Sequence, residues 1–311
     1  MNMGIEAKHL GSMVGSALGD AIGELAFRYP EQNALSAAVA RLEELRYTDD
    51  TAMAIGLATS LAQLGKLDGQ HLGETFRRNF QLEPWRGYGP GPPTVFAMVR
   101  SQKISYAEAA QRLFGGTGSF GNGAAMRIAP LGLLYHDSPD IYSLACASAG
   151  VTHAHPVGKD GAAVQAWAVA QAVKLASKKE FLPKPFVAGL VEFSRTREIR
   201  DKMKLLEKLL DGNVSPAVAA TKLGQSVTVQ DSMPFAIYSF LCNHSSFEDC
   251  LHCAIMHGGD RDTLGAMAGA ISGAYLGIDG VPPEWRSKLE NITTIEKLAL
   301  ELARKRVSGK E

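Results

Sequence analysis

Residues 258–278 read GGDRDTLGAMAGAISGAYLGI, and this stretch decides the fold. From Leu264 to Ile278 it is the most apolar window of the chain, yet it falls short of the ~18–20 residues that span a bilayer and has Ser272 inside it. It reads as a buried helix. Gly265, Gly269, Gly273 and Gly277 recur at four-residue intervals, which sets them roughly along one helix face. Gly11, Gly15, Gly19 and Gly23 repeat that spacing near the start of the chain. Glycine costs ~1 kcal/mol relative to alanine in a helix interior, so a bare face has to be offset by close backbone approach to a neighbouring helix or a ligand. Tight helix packing alone would account for the glycines. The acids beside them carry the functional question.

Working outward, apolar residues recur at three- and four-residue intervals through Thr51 to Leu64, Ala162 to Ala176, Met203 to Leu210, Phe235 to Leu241 and Ile295 to Leu302, which predicts helices. No run of alternating Val, Ile, Thr or aromatic residues is bounded by turn signals. The expectation is an all-α fold. Leu82 to Pro93, Gly115 to Gly123 and Asn213 to Pro216 are dense in Gly, Pro, Asn or Ser and read as loops. None is long or uniform enough to be an interdomain linker, so residues 1–311 are read as one domain, with a polar, frayed end from Lys305 to Glu311.

Composition narrows the function classes. The 311 residues carry 32 Lys+Arg against 32 Asp+Glu, and this balance argues against a nucleic-acid or membrane-surface protein held by bulk charge. With 46% hydrophobic and 21% charged residues and a mean hydropathy of −0.04, the chain has the composition of an ordinary globular protein with a sizeable core. Four cysteines in such a length point to a reducing compartment, and Met1 to Lys8 runs into the glycine-spaced segment without a cleavable apolar signal. A cytosolic monomer is expected.

Two acidic segments stand immediately before helices: Tyr47-Thr48-Asp49-Asp50-Thr51, and Gly258-Gly259-Asp260-Arg261-Asp262-Thr263. Helix capping is the plain explanation, since Asp and Thr accept bonds from first-turn N–H groups and carboxylates suit the positive end of the dipole. One cap needs one residue. Asp49, Asp50, Asp260 and Asp262, with the Thr48 and Thr263 oxygens, make a hard-oxygen set suited to Mg²⁺ or Mn²⁺. If the two helix ends meet, four carboxylates balance two divalent cations, as in two-metal hydrolytic sites.

Gly19-Asp20, Thr48-Asp49-Asp50-Thr51-Ala52-Met53, Gly121-Asn122-Gly123-Ala124-Ala125-Met126-Arg127, Thr152-His153 and Gly258-Gly259-Asp260-Arg261-Asp262-Thr263 occur in an order that resembles the ADP-ribosylglycohydrolases, from about Gly11 to Trp285. This is the family of dinitrogenase-reductase-activating glycohydrolase and the vertebrate ADP-ribosylhydrolases. Arg86-Gly87-Tyr88-Gly89, followed by Thr94-Val95-Phe96, is similar in particular to the branch that cleaves serine-linked ADP-ribose. The resemblance implies a compact, single-domain helical bundle with a dinuclear Mg²⁺ centre. Thr48, Asp49, Asp50, Asp260, Asp262 and Thr263 match its metal ligands position by position.

In the loop from Gly115 to Gly123, glycine lets backbone N–H groups approach a diphosphate. The resemblance makes Gly118, Ser119, Gly121 and Asn122 phosphate or ribose contacts and Phe120 an adenine-side stacking surface. By the same resemblance Phe114, which flanks this loop, Tyr88 of the branch motif and His153, which matches a pocket histidine, are further substrate-binding residues; His155 has no motif counterpart and reads as structural. Relatives commonly carry a glutamate seven residues beyond the Asp of Gly-Asp, a mobile residue that reaches the metal centre, whereas this chain has Phe27. Glu24 and Glu31 are the nearest acids, and Glu24, one turn after Asp20, could supply the same carboxylate. Cys250 and Cys253, with His252, His257, Cys242 and His244 nearby, invite a zinc reading, but Phe247 to Met256 reads as one helix and buried thiols are expected.

The expected activity is Mg²⁺-dependent hydrolysis at the anomeric carbon of the distal ribose in an O-linked ADP-ribosyl protein or small molecule: serine-linked, polymeric, or O-acetyl-ADP-ribose. Asp260 and Asp262 would position the metals, and Asp260 or Glu24 would take or deliver the proton. Cleavage of arginine N-linked ADP-ribose and silent binding of ADP-ribose are the alternatives.

Overall fold

The structure, a computed structural model, describes residues 4–175, 181–212 and 214–305. It is helical throughout, and among the described residues strand-like pairing is confined to isolated bridges, Leu45 with Leu289 and Gly121 with Thr228. The two glycine-spaced segments form the helices Ile5–Arg28 and Arg261–Leu276, which pack antiparallel at the centre of the molecule. Gly11 faces Gly273, Gly15 faces Gly269, Gly19 faces Gly265, and Gly23 faces the Arg261–Asp262 peptide. A Cβ at Gly15 would stand 2.5 Å from the Gly269 carbonyl oxygen, and one at Gly23 would stand 2.5 Å from that of Arg261. At Gly19 it would run into the Gly265 carbonyl outright. The stripes are therefore a backbone-to-backbone helix contact, and Gly277 lies just past its helix with φ +70°.

Antiparallel packing at this register has a consequence for chemistry. It brings Asp20, late in the first helix, beside Asp262 and Thr263 at the start of the other.

Around this pair the helices Asp49–Leu64, Pro156–Lys174, Met233–Cys242 and Phe247–Ile255 are buried over most of their length, as helices without a strong polar face are. The amphipathic helices Gly69–Leu82, Arg197–Asp211 and Ile292–Lys305 lie outside them, each with buried residues in three- and four-residue steps such as Ile199, Met203 and Leu206. A continuous core runs from Met13 to Leu302.

Each predicted helix is present, in wider bounds where capping residues and prolines extend its start, while three end early: Ala162 to Ala176 stops at Lys174, Leu264 to Ile278 at Leu276 and Phe247 to Met256 at Ile255. Pro92 and Pro93 do not belong to the loop that begins at Leu82: the helix Gly91–Gln102 takes them into its first turn, where the missing proline N–H costs nothing. Pro216 likewise starts Pro216–Leu223. Ala176, Asn213, the first three residues of the Met1–Lys8 segment, and all but Lys305 of the predicted frayed end lie outside the described residues. Among the described residues, no helix is long and apolar enough to cross a membrane.

Candidate active site

A cavity of about 500 Å³ opens where the helices Asp49–Leu64 and Arg261–Leu276 begin. Asp49, Asp50, Asp260, Asp262 and Thr263 line it from those two helix ends. Ser119 to Gly123, Phe114 and His153 line it from the glycine-rich side, and Gly87, Gly89 to Pro92, Met53, Met126 and Val227-Thr228 close the rest of the wall.

Capping does not occupy the acids. Neither Thr48 nor Asp260 caps its helix through its side chain. The start of Asp49–Leu64 is capped instead from the neighbouring first helix by Asp20, fully buried. The Asp20 carboxylate accepts from the backbone N–H of Thr48 and of Thr51, each at 3.0 Å, and from their hydroxyls at 2.7 and 2.6 Å. Burial pushes the Asp20 carboxyl up to about 6 in spite of those four donors.

Its neighbours have fewer partners. Asp50 is buried, its Oδ2 is 3.3 Å from the Thr48 hydroxyl, and its Oδ1 has no hydrogen-bond partner. Burial, reinforced by the Asp20 and Asp262 charges, holds its carboxyl well above the ordinary range. Burial and then Asp20 push Asp49 up to about 7, and burial and then Asp260 push Asp262 up to about 8. Asp262 Oδ1 accepts only from the adjacent Thr263 N–H, at 2.9 Å. Asp260 is oriented by Asn122, whose Nδ2 donates to its Oδ2 at 2.6 Å. Unpaired, mutually repelling carboxylates under burial constitute a deficit of positive charge, and an all-oxygen set of this kind fits hard divalent cations.

The glycine-rich side is built by strained backbone. The helix Tyr106–Gly116 loses helical geometry at Leu113, and Phe114, Gly115, Gly116 and Gly118 all have positive φ. A Cβ at Gly118 would lie 2.7 Å from the His155 amide nitrogen, whereas one at Gly121 would stand 3.3 Å from the Ser119 hydroxyl, which would have to give way. Beyond the turn, the segment pairs with residues 227–229: Asn122 N–H donates to the Val227 carbonyl and Val229 N–H to that of Phe120, both at 3.0 Å. Phe114 and Phe120 stay 60% and 40% exposed, an aromatic rim rather than core.

Four sequence-predicted site residues are not in the cavity wall. Thr48 stands behind it, bonded to Asp20. Gly118 shapes the loop from outside. Tyr88 is half-buried, edge-on to the Phe80 ring at 5.1 Å between centroids, with no place among the lining residues. Glu24 is solvent-exposed, and its charge acts on Asp262 only weakly. Glu31 and Phe27 are exposed as well. His155 caps Pro156–Lys174 by accepting from the Val157 N–H, and Cys250 and Cys253 are buried thiols with their ionisation pushed up by burial.

Other residues escape a motif-level reading. Arg86 is buried and clamps the cavity loop: it donates to both carboxylate oxygens of Glu290 at 2.7 and 2.9 Å, to Glu83 at 2.8 Å and to the Tyr47 carbonyl at 3.0 Å. Its guanidinium also lies 4.2 Å over the Tyr47 ring. Arg127, fully buried, sits behind His153, with burial lowering its pKa to about 9 against the favourable field of Asp49. The only sequence signal for either was its place in a motif; Val227 and Thr228 had none.

Comparison with known proteins places this helical body, with its carboxylate-lined, glycine-looped cavity, in a family of glycosidic-bond hydrolases. The ADP-ribosylglycohydrolase family model matches residues 1–311. The human ADP-ribosylhydrolase ARH3 is 35% identical over 290 residues, covering 85% of this chain and 80% of its own. The ADP-ribosyl-[dinitrogen reductase] glycohydrolase of Rhodospirillum rubrum is 27% identical, covering 92% of this chain and 91% of its own. A solved "ADP-ribosylglycohydrolase-related protein complex" superposes with a TM-score of 0.69 at 25% identity, over 97% of this chain and 99% of that one. This chain belongs to the ADP-ribosylglycohydrolase family, a family of enzymes.

Proposed function

We propose that the protein hydrolyses O-linked ADP-ribosyl adducts in a reaction that depends on divalent cations. The observation that carries this reading is Asp50: a buried carboxylate with one oxygen unpartnered, beside Asp49 and Asp262, facing a cavity whose opposite wall is a glycine-rich turn. The O-linkage rests on the similarity to ARH3 and on the Arg86-Gly87-Tyr88-Gly89 motif.

Thr48, Asp49, Asp50, Asp260, Asp262 and Thr263 would hold two Mg²⁺, with Mn²⁺ as a substitute. The Thr48 hydroxyl hydrogen goes to Asp20, which leaves lone pairs of that oxygen free. Among the described residues, no three His, Cys, Asp or Glu side chains close around one point, so binding would draw the carboxylates inward. The ions would supply Lewis-acid chemistry, orienting the ribose hydroxyls and acidifying the attacking water. The remaining work falls to the chain. Ser119, Gly121 and Asn122 take the diphosphate and ribose, and Phe114 and Phe120 offer ring faces to the adenine. Asp260, oriented by Asn122, is the carboxylate to which we assign the proton transfer, a choice supported by Glu24 standing outside the wall. The anionic oxygens around the anomeric carbon stabilise the oxocarbenium-like charge that develops on the sugar.

Release of ADP-ribose from matched serine-linked and arginine-linked peptides tests this. Release from the serine-linked peptide, lost on chelation and restored by Mg²⁺, is expected. Full activity in verified metal-free protein, or release from the arginine-linked peptide alone, would overturn it; binding without release from either would identify a silent member.

A further inference from the structure

Behind the cavity wall, three side chains form a chain of contacts that the reading above does not use. Arg127 Nη2 donates to Thr152 Oγ1 at 2.8 Å, and Thr152 Oγ1 stands 2.8 Å from His153 Nδ1. Arg127 and Thr152 are fully buried, and His153 is 5% exposed. The second nitrogen of that imidazole faces the other way. A Cβ at Gly123 would lie 3.0 Å, and one at Gly121 3.5 Å, from His153 Nε2, which puts this atom against the cavity-lining turn. No protein group bonds to Nε2 among the described residues.

The direction of each hydrogen follows from donor chemistry. A guanidinium has only hydrogens to offer, so Thr152 Oγ1 must be the acceptor in the first contact. A hydroxyl has one hydrogen, and among the described residues the contact that can receive it is His153 Nδ1. Were Nδ1 protonated, the guanidinium and the imidazole would both aim hydrogens at one oxygen, and the hydroxyl hydrogen would be left without an acceptor in a buried site, at the usual penalty for an unmade bond. An imidazole that accepts at Nδ1 and is neutral carries its hydrogen on Nε2.

We propose that Arg127 and Thr152 are positioning residues that lock His153 as the Nε2–H tautomer, so that the cavity wall presents a fixed donor to an oxygen of the bound ligand. The position of His153 beside Ser119 and Gly121 makes that ligand oxygen a phosphate or ribose oxygen, which rests on the ADP-ribose reading; the tautomer itself does not. Burial, followed by the Arg127 charge, lowers the His153 pKa to about 3, in keeping with a neutral ring.

The test is long-range ¹H–¹⁵N correlation on the full chain with ¹⁵N-labelled histidine, free of ligand, with the His153 signals identified by their loss in His153→Asn. The wild type should give the Nε2–H pattern at neutral pH. Thr152→Val removes the hydroxyl and should shift the ring to a mixture of tautomers or to Nδ1–H, and Thr152→Ser should restore Nε2–H. Calorimetric titration with ADP-ribose should show Kd raised about 5–10-fold in Thr152→Val, the worth of a weakened hydrogen bond, and returned in Thr152→Ser. An Nδ1–H or imidazolium pattern in the wild type overturns the proposal whether or not Thr152→Val folds. So does an Nε2–H pattern undiminished in Thr152→Val. A locked Nε2–H that responds to Thr152 as expected, in a protein that does not bind ADP-ribose, upholds the lock and refutes the ligand reading instead.

Discussion

Asp160, on the Pro156–Lys174 helix, and Asp50, in the first turn of Asp49–Leu64, are buried to the same degree and surrounded quite differently. Asp160 accepts from the Tyr142 hydroxyl at 2.9 Å, from the Arg195 N–H at 3.1 Å, and from the Thr196 N–H and hydroxyl at 2.6 and 2.5 Å. It ties the loop before the Arg197–Asp211 helix to the core. Asp20 is built the same way. Asp50 has one 3.3 Å contact and an oxygen with none. A buried carboxylate ringed by donors is a fastener; one left short of donors beside other carboxylates is waiting for positive charge that the chain does not provide.

The sharpest way to break that contrast is to remove each charge at constant size. Asp50→Asn should lower kcat by about 10²–10³-fold, the usual scale for losing a charge-stabilising group, while the melting temperature of metal-free protein holds, because burial keeps that carboxyl protonated there and the amide replaces it at equal size. Asp160→Asn should do the reverse, lowering stability by roughly 1–3 kcal/mol as donors lose their acceptor, with kcat per folded molecule within about twofold. Steady-state kinetics beside chemical denaturation measures both; matched stability losses in the two variants would erase the distinction.

A second contrast lies within the glycine-rich turn. Gly118 has φ +74° and no room for a Cβ, whereas Gly121 has an ordinary backbone and a tight but movable neighbour, the Ser119 hydroxyl at 3.3 Å. Gly118→Ala should therefore destabilise by about 1 kcal/mol or more. Gly121→Val should cost less stability than Gly118→Ala and weaken ADP-ribose binding by about tenfold or more, because its branches crowd Ser119 Oγ and His153 Nε2 at the cavity wall. Calorimetric titration and thermal melting decide; a large fall in melting temperature for Gly121→Val with unchanged affinity would make that glycine a packing residue.

The acidic wall also has a pH signature. In metal-free protein the Asp49 and Asp262 carboxyls, at about 7 and about 8, hold protons that the unfolded chain, near 3.8, has released. The folded state binds the extra protons, so stability is fullest below about pH 4 for these groups and falls as pH rises through about 7 and 8. Thermal melting after chelation should show the decline between about pH 5 and about pH 8. Added Mg²⁺ should flatten it by replacing the protons, with a gain of about 2.7 kcal/mol at a hundred times Kd. A melting temperature that climbs with pH in metal-free protein, or ignores Mg²⁺ at about pH 8, would remove the charge deficit from the account.

Much of this architecture was legible in the sequence because it repeats with a period. Helix spacing over Thr51 to Leu64 and the two glycine stripes each report a local geometry directly, and the close approach inferred from bare faces is the Gly19–Gly265 contact. The acids were legible as surplus: two helix starts carried more Asp than capping needs. Illegible were the contacts between distant segments. Asp20 appeared only as part of a motif, and nothing in its neighbourhood announced that it would cap a helix from outside and so leave Asp49 and Asp50 uncommitted. Val227 and Thr228 reach the cavity only because residues 227–229 pair with the turn at Phe120 to Asn122, a long-range pairing with no local pattern. Tyr88 shows the same limit: a motif position says which loop a residue is on but not which way its ring turns, and here the ring packs edge-on to Phe80.

Glu24 gives the smallest expected effect and the finest test of the same contrast. It lies one turn beyond Asp20 on the first helix, but the helix axis carries it past the cavity, and its carboxylate stands in solvent where Asp20 is enclosed. The backbone from Asp20 to Glu24 is regular helix pinned at Gly19 and Gly23 against the Arg261–Leu276 helix, so it has no freedom to shift inward without parting the two. Glu24→Gln should accordingly leave kcat within about twofold, whereas a general acid or base would lose ~10²–10⁴-fold. Steady-state turnover of the serine-linked peptide, with Glu31→Gln alongside, measures this. Unchanged rates in both would leave the proton to Asp260 or to the acidified water, and a hundredfold loss in Glu24→Gln alone would mean that the end of the first helix moves when substrate binds.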